Sequence, residues 1–183
     1  MKFNFLKSNK KNNRSTKKTP IESEAHKIRE EIDVLGFTTS ELLEYDKSVK
    51  FFYTNIINSI ILYTFNEKQL DKMTPILLDP ITELYEELDY ALTPVLLETV
   101  FRNKFIDRKH KEKLIDFKCK VDKIPNEIWD WKYLDKDEKW KILRKDAETL
   151  LNNIGVESRK FNDEFTTVIL NTGKIIKKGT TIE

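Results

Sequence analysis

The sequence has few of the residues that build common catalytic and cofactor sites. Its 183 residues include four glycines, two histidines and one cysteine. So few glycines argue against a turn-rich all-β fold, and no Gly-rich phosphate-binding motif occurs. No H-E-x-x-H, paired Glu-x-x-His or cysteine pair is present, so the common zinc and di-iron sites are unsupported. We therefore predict no metal, no cofactor and no enzymatic activity.

The single cysteine, Cys119, cannot form an intrachain disulfide, which fits a reducing compartment. A secretion signal is not convincing, because Phe3, Phe5 and Leu6 are too few for an apolar segment and basic residues follow at once. We therefore expect a cytoplasmic protein.

The sequence has no long hydrophobic run. Its least charged stretch, FFYTNIINSIILYTF at 51–65, is 15 residues long and contains Asn55, Asn58 and Ser59. A membrane-spanning helix needs about 20 apolar residues. We predict a buried core helix here and no transmembrane segment, with a strand at the β-branched positions 56–61 as the alternative.

Charge is abundant and unevenly distributed. Charged residues make up 35% of the chain, against an average of about 25%. Residues 1–18 carry seven basic residues and no acid, and residues 79–98 carry six acids and no base. Residues 102–123 carry nine bases against four acids, although the net charge of the chain is only +2. Such blocks are typical of solvated faces or contact surfaces rather than of catalytic sites.

Two helix-start signals occur in the first third of the chain. A capping box at 19–22 predicts a first helix that ends at Gly36. A second capping box, Thr38 with Glu41, predicts a longer helix through Phe65.

Proline and charge mark the middle helices. Asp79-Pro80 begins a helix, Pro94 kinks or restarts it, and a charged turn at 107–113 leads into a further helix that Pro125 closes. The predicted inward residues are Ile81, Leu84, Tyr85, Leu88, Leu92, Val95, Leu97, Val100, Phe101, Phe105, Leu114, Phe117, Val121 and Ile124.

The last helix is the best delimited. Asp135 is its predicted N-cap, and Gly155 is its predicted stop. The apolar stripe between them consists of Trp140, Leu143, Ala147, Leu150 and Ile154. Beyond Gly155, the pattern at 165–176 fits either one more helix or a small hairpin.

These signals predict an all-α fold. About six helices in about 150 residues indicate an irregular helical bundle, with a small C-terminal hairpin as an option. We divide the chain into a basic flexible tail at 1–18, a helical domain at 19–170, and a C-terminal tail or hairpin at 171–183.

Four acids mark the helix that begins at Asp79-Pro80, which we call the acidic helix: Glu83, Glu86, Glu87 and Asp89. Like charges three or four positions apart cost a helix a few tenths of a kcal/mol per pair, so the block needs an explanation. The basic segment 102–123 can neutralise it within the chain. Alternatively, the acidic helix docks a basic partner protein by steered association. A carboxylate-lined metal or acid–base site is a third option.

Basic residues supply a second functional candidate. The candidate phosphate-binding residues are Lys10, Lys11, Arg14, Arg108, Lys109 and Lys111. They would serve a nucleic-acid-associated protein or a virion-assembly protein, whose affinity falls steeply with salt. The start MKFNFLK, with two Phe and a Leu among lysines, also fits a peripheral membrane adaptor.

Three aromatic residues, Trp129, Trp131 and Tyr133, alternate with Asp130 and Lys132. In an extended segment the three rings share one face. They either fill the core where two helices meet or form an aromatic platform for bases or partner side chains.

The acidic helix and the missing catalytic motifs favour a non-catalytic protein–protein interaction module that binds a basic partner. The abundance of Lys, Asn and Ile suits a bacterium or its phage. Toxin-neutralising immunity proteins are often small all-α chains with a strongly acidic helix. The similarity is one of general type, because no motif in this sequence identifies a family.

Overall fold

The computed structural model describes Asp33 and residues 35–74, 76–169 and 172–181. Within these residues the chain forms eight α-helices and one two-stranded antiparallel sheet. The helices are α1 (Thr39–Lys47), α2 (Val49–Leu62), α3 (Glu67–Asp71), α4 (Pro80–Ala91), α5 (Pro94–Arg102), α6 (Lys111–Val121), α7 (Trp131–Leu134) and α8 (Glu138–Ile154). The strands are β1 (Val168–Ile169) and β2 (Ile175–Lys177). The predicted helical bundle with a small C-terminal hairpin is confirmed, with eight helices rather than about six.

The predictions for the start of the chain fall outside the described residues. They include the flexible tail at 1–18, the membrane contact through MKFNFLK, and all but the end of the helix predicted from the capping box at 19–22. The acidic helix is α4 and is described in full.

The helix predicted from Thr38 through Phe65 is two helices, α1 and α2. Its start is as predicted, because the N–H of Glu41 donates to Thr38 Oγ1 at 3.2 Å and the N–H of Thr38 donates to Glu41 Oε2 at 2.8 Å. The break lies at Ser48, whose φ of −98° and ψ of 10° depart from helical values. α1 has no buried residue, whereas α2 has nine. The two helices therefore differ in burial, although both contact α5.

α2 is the centre of the core. Nine of its 14 residues are buried, and Ile56 and Ile60 have no exposed surface. α4, α5 and α8 pack around it, so apolar side chains on several of its faces meet protein rather than water. The buried core helix is confirmed, and the alternative of a strand at 56–61 is wrong.

Capping residues and prolines determine where α3, α4 and α5 begin. α3 begins at a capping box that sequence reasoning missed, in which the N–H of Gln69 donates to Asn66 Oδ1 and the N–H of Asn66 donates to Gln69 Oε1, both at 2.9 Å. Pro80 and Pro94 stand in the first turns of α4 and α5, where a missing N–H costs nothing. Pro94 therefore restarts the helix rather than kinking it.

Most side chains predicted to face inward from α4, α5 and α6 do so, but two do not. Tyr85 is 41% exposed and Phe105 is 44% exposed. Tyr85 follows the buried Leu84, and one residue turns an α-helix by about 100°, so its ring lies at the edge of the buried face. Phe105 comes after the end of α5, where helical periodicity no longer applies.

The last helix begins two residues later than predicted. Asp137, not Asp135, is the N-cap of α8, and its Oδ1 accepts from the N–H of Lys139 at 2.8 Å. Gly155 ends α8 as predicted, with a φ of +83° in the left-handed region. The stripe Trp140, Leu143, Ala147 and Leu150 is buried, and Ile154 is half-buried.

Asp135 belongs instead to a polar cluster around Arg144, which we call the Arg144 clasp. The Nη2 of Arg144 donates to the carbonyl oxygens of Phe65 at 3.0 Å and Leu134 at 3.2 Å. It also donates to Asp135 Oδ1 at 2.8 Å. Asp135 in turn accepts from the N–H of Glu67 at 3.2 Å. The clasp thus joins α8 to the turn after α2, the start of α3 and the end of α7.

The described residues 156–169 and 172–181, which we call the C-terminal segment, include the hairpin, and the part around Asn162 and Phe165 lies against α2. Asn58 Nδ2 donates to the carbonyl oxygen of Asn162 at 2.7 Å, and the N–H of Asn162 donates to Asn58 Oδ1 at 2.9 Å. The rings of Phe51 and Phe165 meet edge to face at 5.5 Å between centroids. These contacts attach a loop near the C-terminus to the central helix.

Candidate functional site

The acidic helix α4 has a buried face and a charged face. Its buried residues are Pro80, Ile81, Leu84, Leu88 and Ala91, and they pack toward the core. Glu83 and Glu87 are half-buried, whereas Glu86 and Asp89 are exposed. The spacing that places leucines inward therefore places the four acids on and beside the solvent-facing side.

The basic segment 102–123 meets the acidic helix at one ion pair. Lys118 Nζ lies 2.9 Å from Asp89 Oδ1 and 3.2 Å from Asp122 Oδ1. No cation in the described part of the chain forms an ion pair with Glu83, Glu86 or Glu87. Among the described residues, therefore, only Asp89 of these four acids is neutralised by a cation.

Most cations of the basic segment are paired with other acids. Arg108 Nη2 and Lys111 Nζ each lie 2.6 Å from Glu98, and Lys109 Nζ lies 3.0 Å from Asp107 Oδ2. Burial opposes the charge of Glu98, but its hydrogen bonds with Lys111 and Arg108 outweigh burial and lower its pKa. All three described members of the predicted phosphate-binding set are thus already engaged. The other members, Lys10, Lys11 and Arg14, lie outside the described residues.

Glu83 and Glu87 line a cleft of about 290 Å³, which we call the acidic cleft. Its walls come from α2, α4, the loop before α4 and the C-terminal segment. The lining residues include four aromatic rings, Phe51, Tyr90, Phe161 and Phe165, and three polar residues of α2, Thr54, Asn55 and Asn58. The cleft combines negative charge with aromatic walls.

Hydrogen bonding positions one of the two carboxylates. Glu83 Oε1 accepts from the N–H of Asp79 at 2.8 Å, at the start of α4. This bond restricts the rotation of the Glu83 side chain before any ligand arrives. Its second oxygen remains to accept a hydrogen bond from a ligand.

The carboxylate of Glu87 has no hydrogen-bond partner among the residues that the structure describes, and its surroundings oppose its ionisation. Burial, and then the charges of Glu83 and Glu86, raise its pKa above the ordinary value of a glutamate. A nearby cation would counter both causes. The acidic cleft therefore holds a carboxylate whose ionised form a basic ligand would stabilise.

The four predicted acids do not form one site. Glu83 and Glu87 line the acidic cleft, whereas Glu86 lines a second cleft of about 350 Å³ with Tyr85 and Trp129. Asp89 is paired with Lys118. Only Glu83 and Glu87 are brought together.

The aromatic residues Trp129, Trp131 and Tyr133 are half-buried against the core. Their segment is not extended, because a 3₁₀ turn at Asn126–Ile128 is followed by α7. The ring of Trp129 packs edge to face on Trp140 at 4.8 Å between centroids, and Trp140 Nε1 donates to the carbonyl oxygen of Ile128 at 2.8 Å. Since the chain turns there, the three rings do not alternate along one strand face.

The described residues support neither a metal site nor a membrane-spanning helix. No group of three or more His, Cys, Asp or Glu side chains in those ranges can hold a metal ion. No described helix has the length and apolar character needed to cross a membrane. Cys119 is an exposed free thiol.

Sequence reasoning missed the walls of the acidic cleft. The available signal was the polar set Thr54, Asn55 and Asn58 within an otherwise apolar run, since these positions share one side of a helix. Such a set indicates that this side of α2 meets polar groups as well as apolar ones. The distant residues Phe161 and Phe165 gave no local signal.

Comparison of the chain with protein-family models, with curated proteins and with solved structures found no match. The function of the chain is therefore inferred from the geometry of the acidic cleft.

Proposed function

We propose that the chain is a non-catalytic protein–protein interaction module that docks a basic partner protein on the acidic cleft. The observation that carries the proposal is the pair Glu83 and Glu87, which line an aromatic-walled cleft with no cation from the described residues beside them. We place the module in the cytoplasm of a bacterium or of a phage-infected cell, on the composition and the single cysteine.

Physical chemistry supports a basic partner in two ways. Glu83 and Glu87 have no cation partner among the described residues and repel each other, so a cation relieves an electrostatic cost. The surrounding acidic block also steers a basic protein toward the cleft and raises the association rate at low salt. Both effects favour positive charge over any other ligand property.

The test is a pull-down from a lysate of the native host with the full-length chain as bait. One bait is the unchanged chain, and a second carries Glu83→Lys and Glu87→Lys. A matched control carries Glu127→Lys and Glu157→Lys, which change the net charge equally at exposed positions outside the acidic cleft. Nuclease treatment and a high-salt wash accompany each bait, and circular dichroism checks that each variant is folded.

The proposal predicts one stoichiometric basic protein that survives nuclease, is lost with the cleft variant and is retained with the control variant. Equal capture by both variants would contradict it. Recovery that disappears with nuclease would favour the nucleic-acid alternative. That alternative has less support, because Arg108, Lys109 and Lys111 are already paired with acids.

A further inference from the structure

We infer that the acidic cleft is an arginine pocket, which selects an arginine side chain of the partner over a lysine. This inference rests on the proposed function and specifies what enters the cleft. It is carried by three features of the lining beyond negative charge: an unpartnered threonine hydroxyl, aromatic walls and a small volume.

The unpartnered hydroxyl belongs to Thr54. The residue is 6% exposed and lines the acidic cleft. Its hydroxyl has no hydrogen-bond partner among the residues that the structure describes. This departs from other buried α-helical hydroxyls of the chain, since Ser59 and Thr99 each donate to a backbone carbonyl. The hydroxyl oxygen is free to accept a hydrogen bond in the cleft, so a ligand that donates one gains from meeting it.

The cleft offers hydrogen-bond acceptors in several directions. They include the Glu87 carboxylate, the second oxygen of Glu83, the Asn55 side chain and the Thr54 hydroxyl. A guanidinium has five N–H donors in a planar fork and no acceptor, whereas an ammonium has three donors at one point. Acceptors spread over two helices therefore suit a guanidinium better than an ammonium.

The aromatic walls favour arginine for a second reason. Phe51 and Phe165 meet edge to face, and Tyr90 and Phe161 also line the cleft. A guanidinium is planar and weakly hydrated and stacks on aromatic faces, while a compact ammonium holds its water more strongly. Entry into an aromatic cleft therefore costs arginine less desolvation than lysine.

The size of the cleft limits the occupant. Ligand pockets for drug-sized molecules run from about 300 to 1,000 Å³, and the acidic cleft, at about 290 Å³, lies just below that range. One long side chain fits such a volume better than a folded peptide element. The partner is thus expected to insert a single arginine, with its other contacts made around the rim.

The test is an NMR titration of the ¹⁵N-labelled full-length chain with two blocked amino acids, N-acetyl-arginine methylamide and N-acetyl-lysine methylamide. Both probes carry one positive charge, so charge alone does not separate them. We expect arginine to shift the amide signals of Thr54, Glu87 and Asn162 saturably. We expect it to bind about twofold to fivefold more tightly than lysine, from the stacking preference alone.

Three variants test which features of the acidic cleft bind arginine. Thr54→Val removes the unpartnered hydroxyl with little change in shape, and we expect arginine affinity to fall by roughly tenfold while the chain unfolds at the same or a higher temperature. Tyr90→Leu removes an exposed ring, and we expect it to reduce the advantage of arginine over lysine. Glu86→Gln is the matched control, because it removes a charge from α4 outside the acidic cleft, and we expect it to preserve the preference for arginine.

Equal affinity for the two probes, signal shifts centred away from the cleft, or no saturable binding would each overturn the arginine assignment. If that happens while partner capture still requires Glu83 and Glu87, the proposed docking function stands and only the choice of side chain is wrong. If arginine binds selectively but capture of the partner does not depend on Glu83 and Glu87, the arginine pocket is confirmed and the proposed docking function is wrong.

Discussion

At the scale of single residues, Glu87 ionises in surroundings that resist its charge. Burial and two neighbouring carboxylates raise its pKa. Below the pKa of an unfolded glutamate, 4.5, the carboxyl is protonated in both the folded and the unfolded chain. As the pH rises through the elevated folded pKa, ionisation costs the folded state free energy. Glu87 therefore reduces stability at neutral pH and not in acid.

The substitution Glu87→Gln should consequently stabilise the chain at pH 7 and have no such effect at pH 4. Relief of the repulsion between Glu83 and Glu87 alone is worth a few tenths of a kcal/mol, or about 1 °C in melting temperature for a chain of this size, and removal of a partly buried charge adds to it. Differential scanning calorimetry at the two pH values measures it. Glu127→Gln, at an exposed site, is the control. A stabilisation equal at both pH values would show that charge is not its cause.

His110 is a second residue whose surroundings oppose its charge. It is 8% exposed, and its Nδ1 is buried with no hydrogen-bond partner among the described residues. Burial, and then the charges of Lys109 and Lys113, lower its pKa below the ordinary 6.5, although Asp107 acts in the opposite direction. The unfolded chain then binds a proton at a higher pH than the folded chain does. Stability should therefore fall as the pH drops below about 6.5.

Urea unfolding at pH 7.5 and at pH 5.5 tests this prediction. The unchanged chain should lose more unfolding free energy between the two pH values than a His110→Gln variant does. The comparison uses each protein's own change with pH, so a general loss of stability in the variant does not affect it. An identical change with pH in both proteins would contradict the prediction.

At the scale of helices and loops, the Arg144 clasp shows why some boundaries could be predicted and others could not. Thr38 with Glu41, and Gly155, act through neighbours within four residues, so their sequence signals were sufficient. Asp135 and Asp137 are both able to cap the last helix, and their local patterns do not separate them. Arg144 engages Asp135 and leaves Asp137 as the cap. That choice depends on tertiary packing.

Replacing Arg144 tests the importance of the clasp. Arg144→Met should lower the free energy of unfolding by about 1–3 kcal/mol, because the carbonyl oxygens of Phe65 and Leu134 lose a donor in a partly buried place. Lys141→Met, on the exposed side of α8, should change stability by less than about 0.5 kcal/mol. Urea unfolding measures both variants, and equal effects would contradict a special role for Arg144.

The attachment of the C-terminal segment can be tested in the same way. Asn58→Ala removes both hydrogen bonds to Asn162 and should increase hydrogen exchange in residues 156–169, while the core amides of α2 stay protected. Affinity for the partner should also fall, because the segment forms one wall of the acidic cleft. Unchanged exchange in that segment would show that the asparagine pair does not hold it.

At the scale of the whole molecule, the class of fold was predictable and the acidic cleft was only half predictable. Helical periodicity and capping are local, and they indicated an all-α bundle. The acids Glu83 and Glu87 were visible as a pattern on one helix. Their separation from Glu86 and the pairing of Asp89 with Lys118 depend on which helices become neighbours. The far wall of the cleft includes Phe161 and Phe165. These residues follow α2 by about 100 positions, as the separation of 104 between Asn58 and Asn162 shows, so no local pattern reveals the contact.

The charges of the whole molecule are unevenly paired. Most of the basic segment 102–123 is neutralised by acids elsewhere, while Glu83 and Glu87 stay unpaired within the described ranges. A folded chain that keeps an unfavourable pair of charges gains from a partner that neutralises it. Stability and binding should therefore respond to the same substitution with opposite signs.

The most direct measurement is titration calorimetry of the purified partner with the unchanged chain and with a Glu83→Gln, Glu87→Gln variant, alongside their melting temperatures at pH 7. The glutamines keep the shape of the side chains and remove only the charge. We expect the variant to melt at a higher temperature and to bind the partner at least about tenfold more weakly. A variant that binds the partner as tightly as the unchanged chain would contradict the claim that the acidic cleft is the docking site.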